Sequence, residues 1–475
     1  MSVFTDPEHI FRELAAGVAY KQRIGLFDTV RENEAFFVGR QWEGLEAPDL
    51  EKPVLNILKR AVCYFAATVK KGATAFTVKP WADGTEGLCL ALRRAAEEVF
   101  EQDGTETKLA DCVRAAAVDG DACLYWYYDP VRERIRSERI RNTEVFFLNP
   151  YEPAVDAQRG ILIRTRRPYD ELRAEAAENG AEGWENILPD DPAGLAPDAG
   201  EPEKLATVVT KFFRTAEGIS AVSVARGATV RPPFCTGLTR YPIAWLRWDE
   251  VTGSCHGQAA VTGLVPNQII INKLFSMYVR SVETNAFPKV VYDITKFGRG
   301  GWTNRIGEAI GVYGDVGDCA VNVLRGGDTS AQVMQVIESA IRLTRETMGA
   351  TDAAMGSINA ENTAASAILA SQRASAEPLA LQRRAYLAFF EECVRIVFEW
   401  MSAAYGVRTV RTDEGDLDVD FSLAAVAADR AVVHAGDAAE WSETGALSTL
   451  KELIAAGLPV TEEELRAAVP ERLEA

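Results

Sequence analysis

Histidine is scarce in this chain of 475 residues: only His9, His256 and His434 occur, far apart from one another. The eight cysteines (Cys63, Cys89, Cys112, Cys123, Cys235, Cys255, Cys319, Cys393) contain no Cys-x-x-Cys pair. A clustered zinc site therefore has no ligand set to draw on. Most of the cysteines sit among apolar or small neighbours, as Cys393 does beside Val394, which reads as reduced, buried thiols of a cytosolic compartment. There is no G-x-x-x-x-G-K-[ST], which removes P-loop nucleotide hydrolysis, and no H-E-x-x-H, which removes that metalloprotease chemistry. No run approaches the ~18 apolar residues of a membrane span. The opening Met-Ser-Val-Phe-Thr-Asp lacks a basic start followed by an apolar stretch, so no export signal is expected.

Basic charge is also short. Lysine and arginine number 51 against 69 acids, for a formal net charge of −18. A protein that grips nucleic acid tightly carries a basic footprint, because neutralising phosphates supplies most non-specific affinity. The acid is concentrated in Asp170 to Glu203 and Asp413 to Glu474. With 47% hydrophobic and 25% charged residues, the chain has an ordinary globular composition, and its length allows two or more cores.

Local patterns predict a mixed α+β fold. Asp6 followed by Pro7 is an N-cap with proline in the first turn, predicting a helix to about Phe37 that ends where Gly39 and Gly44 surround Trp42. Helices are expected at about 56–70, 86–102 and 106–118. Strand-like runs lie at 74–80, 122–128, 144–148, 161–166, 206–213, 219–225 and 243–248. Trp184 to Lys204 is rich in Pro, Gly and Asp and reads as a mobile surface loop. Val407 to Val410 and Leu417 to Phe421 look like a returning strand pair, and 440–475 like two short helices around Gly457.

Between Gly257 and Gly406 the pattern changes. A helix opens near Pro266, with Ile271, Leu274, Phe275, Tyr278 and Val282 at helical spacing. It breaks at Phe287-Pro288 into a Gly-rich insert reaching about Gly327. A second helix follows, marked by Val333, Ile337 and Ile341, and then a small, polar stretch over 350–362. From Thr363 to Tyr405 the pattern is helical for about 43 residues, roughly 65 Å at 1.5 Å per residue. Pro378 falls inside that run, where it predicts a kink.

Candidate chemistry is sparse. Gly253-Ser-Cys-His-Gly257 has the G-x-C-x-G shape of a nucleophile elbow in a cysteine hydrolase. Cys255 would then need a downstream histidine, and beyond the elbow itself only His434 follows. The alternative is a glycine-assisted turn between strand and helix. Lys273, Arg280 and Lys289 accompany the first helix, and Arg342 and Arg345 the second; they read either as solvated or inter-subunit charges, or as phosphate-facing ones. Phe297, Arg299, Trp302, Arg305 and Tyr313 mix aromatics with basic residues, which suits nucleic-acid stacking or a small self-packed module. Over 350–362 the only charges are Asp352 and Glu361. Met355 and Ile358 are the only sizeable apolar groups, set among Ser357, Asn359 and other small residues, as in a mobile flap.

The order of these pieces resembles the tailed-bacteriophage portal protein of siphovirus type, over about 28–456. Asn33-Glu-Ala-Phe-Phe-Val-Gly-Arg-Gln-Trp42 is similar to the opening segment of that family. His256-Gly257 through Pro266-Asn-Gln-Ile269 and Asn272-Lys273 are similar to the start of its first stem helix, and Asn362-Thr363, Ala367-Ile368, Gln372 and Pro378 to its long helix. The resemblance implies a wing (1–255), stem helices (256–285 and 328–349) flanking a clip (286–327), and a tunnel loop (350–362). It further implies a long kinked helix with wing return strands (363–432) and a C-terminal crown (433–475). It implies a ring of about twelve copies at one capsid vertex, passing double-stranded DNA and docking the terminase large subunit and later head-completion or adaptor proteins. Contacts with major capsid and scaffolding proteins are implied too, in a virion assembled in the bacterial cytoplasm, with no cofactor, catalysis or membrane. Channel-facing roles then fall on Lys273, Arg280, Arg342, Arg345 and the loop residues Asp352, Met355, Ser357, Ile358, Asn359 and Glu361. Docking falls on Phe297, Arg299, Trp302 and Arg305. A cysteine hydrolase or other enzyme with a helical accessory domain, and a non-viral helical scaffold, are the alternatives.

Overall fold

The computed structural model describes residues 3–46, 51–70, 74–190, 204–286, 289–292, 294–296, 313–315, 321–324, 330–347, 377–412 and 415–435. Along the chain come α1 (Pro7–Arg23), α2 (Leu26–Val38), α3 (Ile57–Val69), β1 (Thr74–Val78), α4 (Glu86–Asp103) and α5 (Thr105–Asp119). Next are β2 (Asp121–Asp129), β3 (Arg134–Ile140), β4 (Val145–Phe147), β5 (Gly160–Pro168), α6 (Tyr169–Glu178), β6 (Leu205–Thr215), β7 (Gly218–Ala225), β8 (Ala228–Cys235) and β9 (Ile243–Arg247). Then follow α7 (Val265–Ala286), β10 (Lys289–Tyr292), β11 (Val321–Leu324), α8 (Ser330–Thr347), α9 (Ala380–Ala404), β12 (Val407–Thr412), β13 (Gly415–Asp420), α10 (Ala424–Ala428) and β14 (Ala431–Ala435). The fold is mixed α+β, and it divides into two compact units.

The first unit holds Met1–Glu34, Val62–Thr262 and Ala365–Ala475. Its five-stranded antiparallel sheet has the order β4-β5-β6-β7-β8, and a three-stranded sheet has the order β3-β2-β9. Ile161, Ile163, Phe212 and Ile219 of the larger sheet share one apolar cluster with Cys123, Ile140 and Ile243 of the smaller. The other face of the larger sheet takes α1, whose Ile10 and Leu14 meet Phe146, Leu162, Val209 and Val222. Asp6 caps α1, accepting a 3.1 Å hydrogen bond from the His9 amide, as its sequence predicts. The expected single helix to Phe37 is two helices, because Gly25 takes a φ of 70° between them.

Helix α9 is buried through Phe389, Phe390, Val394, Val397, Phe398 and Met401, on several sides at once, so it reads as a core helix. Phe390 and Phe398 lie edge-on to Phe76 of β1, at 6.3 and 6.1 Å between ring centroids. Glu399 is the polar exception. Its carboxylate accepts from the Thr239 amide (2.8 Å), the Thr239 hydroxyl (2.5 Å) and the Arg240 amide (3.0 Å), fixing α9 to the turn before β9. Strand β8 escapes a sequence reading because it carries Pro232-Pro233. It tolerates them as the sheet's edge, with register shifts against β7.

The second unit holds Ala35–Ala61 and Gly263–Ala364. Here α7 and α8 pack together, and β10 pairs antiparallel with β11, Lys289 opposite Leu324, closing the base of the insert between the helices. The start of α7 matches its sequence pattern, with Pro266 in the first turn, where its missing N–H breaks no helical bond.

Candidate functional site

Within the second unit, α7 turns a polar stripe inward. Gln268, Asn272 and Ser276 follow one another at i, i+4 and i+8 and are 1%, 3% and 0% exposed. A buried amide or hydroxyl is tolerable only if its hydrogen bonds are made, and here they are. Gln268 Nε2 donates to Leu55 O (2.7 Å) and to Asn272 Oδ1 (2.9 Å), while its Oε1 accepts from the Ile57 amide (3.1 Å). Asn272 Nδ2 donates to Gln41 Oε1 at 2.6 Å, and the Ser276 hydroxyl donates to Glu51 O at 2.6 Å.

The segment so gripped is itself held to the end of α2. Gln41 Nε2 donates to Phe36 O (3.0 Å), Asn56 Nδ2 to Phe37 O (2.9 Å), and Trp42 Nε1 to Pro53 O (2.8 Å). Gly39, at φ 93°, ends α2 and turns the chain toward this clasp. Two sequence motifs separated by more than 200 residues, Asn33–Trp42 and Pro266–Lys273, thus meet in one hydrogen-bonded root for α7. The apolar periodicity did not reveal it: Ile271 is buried, but Leu274, Phe275 and Tyr278 are only partly so and Val282 is exposed. The spacing of Gln268, Asn272 and Ser276 was the signal that was there to find.

The remaining motif residues are anchored in the first unit. Asn33 Nδ2 donates to Val118 O and Thr262 Oγ1, both at 2.8 Å. His256 Nδ1 lies 2.8 Å from Asp121 Oδ2, both side chains buried, and the Gly257 amide donates to Asp121 Oδ1 at 2.6 Å. Gly257 must be glycine: a Cβ there would sit 2.8 Å from Asp249 O and 3.0 Å from Gly120 O. Nearby Lys21 donates to the carbonyls of Asn142 and Val145 and lies 4.1 Å from the Phe146 ring centre; burial holds its amine down to about 7.

Cys255 does not have the setting of an elbow nucleophile. Strand β9 ends at Arg247 and α7 begins only at Val265, so no sharp strand-to-helix turn presents the thiol. Cys255 is 2% exposed, and burial, reinforced by the charge of Asp121, pushes its thiol up to about 12. Its amide donates to Pro150 O (2.9 Å) and its carbonyl accepts from Trp245 Nε1 (3.1 Å), as in a strap tied at both faces. His434 lies in β14, opposite Ala75 of β1.

Of the basic residues singled out by sequence, Lys273, Arg280 and Arg342 are exposed and Arg345 partly buried. Arg280 faces Glu283 at 3.8 Å, and Arg342 faces Glu346 at 4.0 Å, so both belong to intrahelical pairs. Ile270, Lys273, Met277 and Arg280 form one exposed stripe of α7, mixing apolar and basic groups; Val336 and Leu343 are exposed on α8. Pro378 lies in a 3-10 turn (Glu377–Leu379) just before α9. The expected helix upstream of it, the loop residues Asp352, Met355, Ser357, Ile358, Asn359 and Glu361, and the insert residues Phe297, Arg299, Trp302 and Arg305 lie outside the described residues. So do the two short helices expected near the C-terminus. Among the described residues no three His, Cys, Asp or Glu side chains gather as a metal would require, and no helix is long and apolar enough to cross a membrane.

Compared with known proteins, the chain matches no family model and no curated sequence.

Proposed function

We propose that this protein is a portal-type subunit: one copy of a closed ring at a phage capsid vertex, through which double-stranded DNA is packaged and later ejected. The observation that carries the proposal is the pairing of α7 with α8 around an insert closed at its base by β10 and β11, rooted by the residues that carry the family resemblance. That arrangement suits a two-helix stem ending in a clip. The loop over 350–362 would then project into the channel, the clip would dock the terminase large subunit and afterwards head-completion or adaptor proteins, and the wing would meet major capsid and scaffolding proteins. No cofactor or catalytic residue enters this reading. The assembled ring would reside in the virion, after assembly in the bacterial cytoplasm.

Ring size follows from helix dimensions. With one stem helix per subunit on the wall, neighbours ~10 Å apart and a helix radius of ~5 Å, twelve copies leave a bore of roughly 28 Å. Nine copies leave only ~19 Å, too narrow for a duplex about 20 Å across. The acidic balance of −18 suits passage rather than capture, since a wall rich in phosphate contacts would hold DNA against translocation. Negative-stain imaging of the purified protein tests the proposal. Rings of about twelve or thirteen copies with a central hole are expected; monomers or open dimers at micromolar concentration, across several salt conditions, overturn it.

A further inference from the structure

A cleft of about 770 Å³ opens in the first unit between α1 and the β4 end of the five-stranded sheet. Its floor is apolar, from Phe146, Phe147, Leu148 and Leu162, and its rim carries Tyr20 and Tyr151. Two arginines, Arg23 and Arg159, also line it. Arg23 donates to the Tyr151 hydroxyl at 2.9 Å and lies over the Tyr20 ring, 5.4 Å from its centre; Arg159 lies 5.9 Å from the centre of the Phe4 ring. Among the described residues no carboxylate comes within the 4.0 Å of a salt bridge to either guanidinium. Among the described residues the acid lining the main cleft is Glu13, already paired with buried Lys211 at 2.7 Å. A second lobe of about 370 Å³ shares Phe4 and Arg159 and runs on to Arg214 and Asp156.

In a protein with a net charge of −18, an apolar cleft flanked by unneutralised guanidiniums is a local inversion of charge. From it we infer that the cleft is a docking site for an acidic peptide segment of a partner protein, one that carries aliphatic side chains between its carboxylates. Guanidinium groups match carboxylates in bidentate geometry, and exposed tyrosine with arginine is the composition of a binding hot spot. Nucleic acid fits less well, because most of the rings that a base would stack on are already engaged. Phe146 is covered by Lys21 at 4.1 Å and Arg164 at 5.5 Å, Tyr20 by Arg23, and Phe147 meets Trp245 edge-on at 5.0 Å. Of the rings that line the cleft Tyr151 is the exposed one, and its hydroxyl is taken by Arg23.

The test is fluorescence anisotropy on the full-length protein with a fluorescein-labelled decapeptide alternating glutamate and leucine. Binding on the order of 10–100 µM is expected, weakened at least tenfold in the Arg23→Glu/Arg159→Glu double variant, and lost when lysine replaces glutamate in the peptide. Both arginines are exposed, and circular dichroism checks that the variant is folded. Hydrogen exchange on the unmodified protein gives a second reading, with peptide-dependent protection expected in residues 16–23 and 146–151. No binding at millimolar peptide, equal binding by the double variant, or protection confined elsewhere overturns the proposal. Displacement of the peptide by a single-stranded oligodeoxynucleotide that binds more tightly overturns it in favour of nucleic acid.

Discussion

Gln41 and Asn272 are joined by a 2.6 Å hydrogen bond across 231 positions of sequence, amide to amide. Each is also committed elsewhere, Gln41 to Phe36 O and Asn272 to Gln268, so the bond is one link of a continuous buried chain. Such a network fixes register: every member has one arrangement in which all its partners are present.

Replacing Gln268 by leucine keeps volume and burial but removes three bonds: the Leu55 carbonyl and the Ile57 amide keep the 2.8 Å bond they make to each other, while the buried Asn272 Oδ1 loses its Gln268 donor. A loss of about 1–3 kcal/mol is expected from the acceptor left without its donor. The exposed neighbour Lys273→Ala should stay within about 0.5 kcal/mol of the parent. Urea midpoints compare the two, and a Gln268→Leu protein as stable as Lys273→Ala would mean the clasp contributes nothing.

Asp119 gives a pH dependence of determined sign. Burial, with the nearby charge of Glu34 adding to it, raises its carboxyl to about 7, well above the value of an unfolded chain. The folded state therefore holds a proton that the unfolded state releases, and this group's contribution to stability falls as pH rises from about 4 to about 7. Asp119→Asn should be nearly neutral at pH 4 and stabilising above pH 7, by a few kcal/mol at most. Thermal melts of both proteins at pH 4.5 and pH 8 decide it. A variant whose advantage shrinks with rising pH would contradict this account.

Thiol reactivity should follow burial. Cys63 and Cys235 are exposed, whereas Cys123, Cys255 and Cys393 are buried with thiols raised by desolvation. In the folded protein the first two should react with an aromatic disulfide reagent within minutes, and the last three only after denaturation. Cys255→Ala should leave ring assembly intact. Rapid labelling of Cys255, read by peptide mass mapping, would reopen the hydrolase reading.

The loop expectation is tested by function. Deleting 353–360 should leave rings that form but do not package or retain DNA, while Asp352→Ala or Glu361→Ala changes packaging only modestly. A deletion that packages a full genome at the normal rate removes the loop from the mechanism.

How much of this was legible beforehand depends on the range of the forces involved. The cap at Asp6, the start of α7 near Pro266 and the hairpin of β12 and β13 rest on neighbours a few residues away, and the amino-acid order announces them. The break at Gly25 was missed because the apolar pattern continues across it, and glycine alone permits the positive φ without demanding it. Strand β8 was missed because two prolines argue against a strand until its place at a sheet edge is known. Cys255 looked like a nucleophile in sequence because G-x-C-x-G encodes a turn, while exposure and charge come from β2, β9 and α1 packed around it. The clasp lies furthest from the sequence. Gln268, Asn272 and Ser276 on a helix would ordinarily face water, and only the carbonyls of Glu51 and Leu55, the amide of Ile57 and the side chain of Gln41, brought there by the tertiary fold, make it cheaper to bury them.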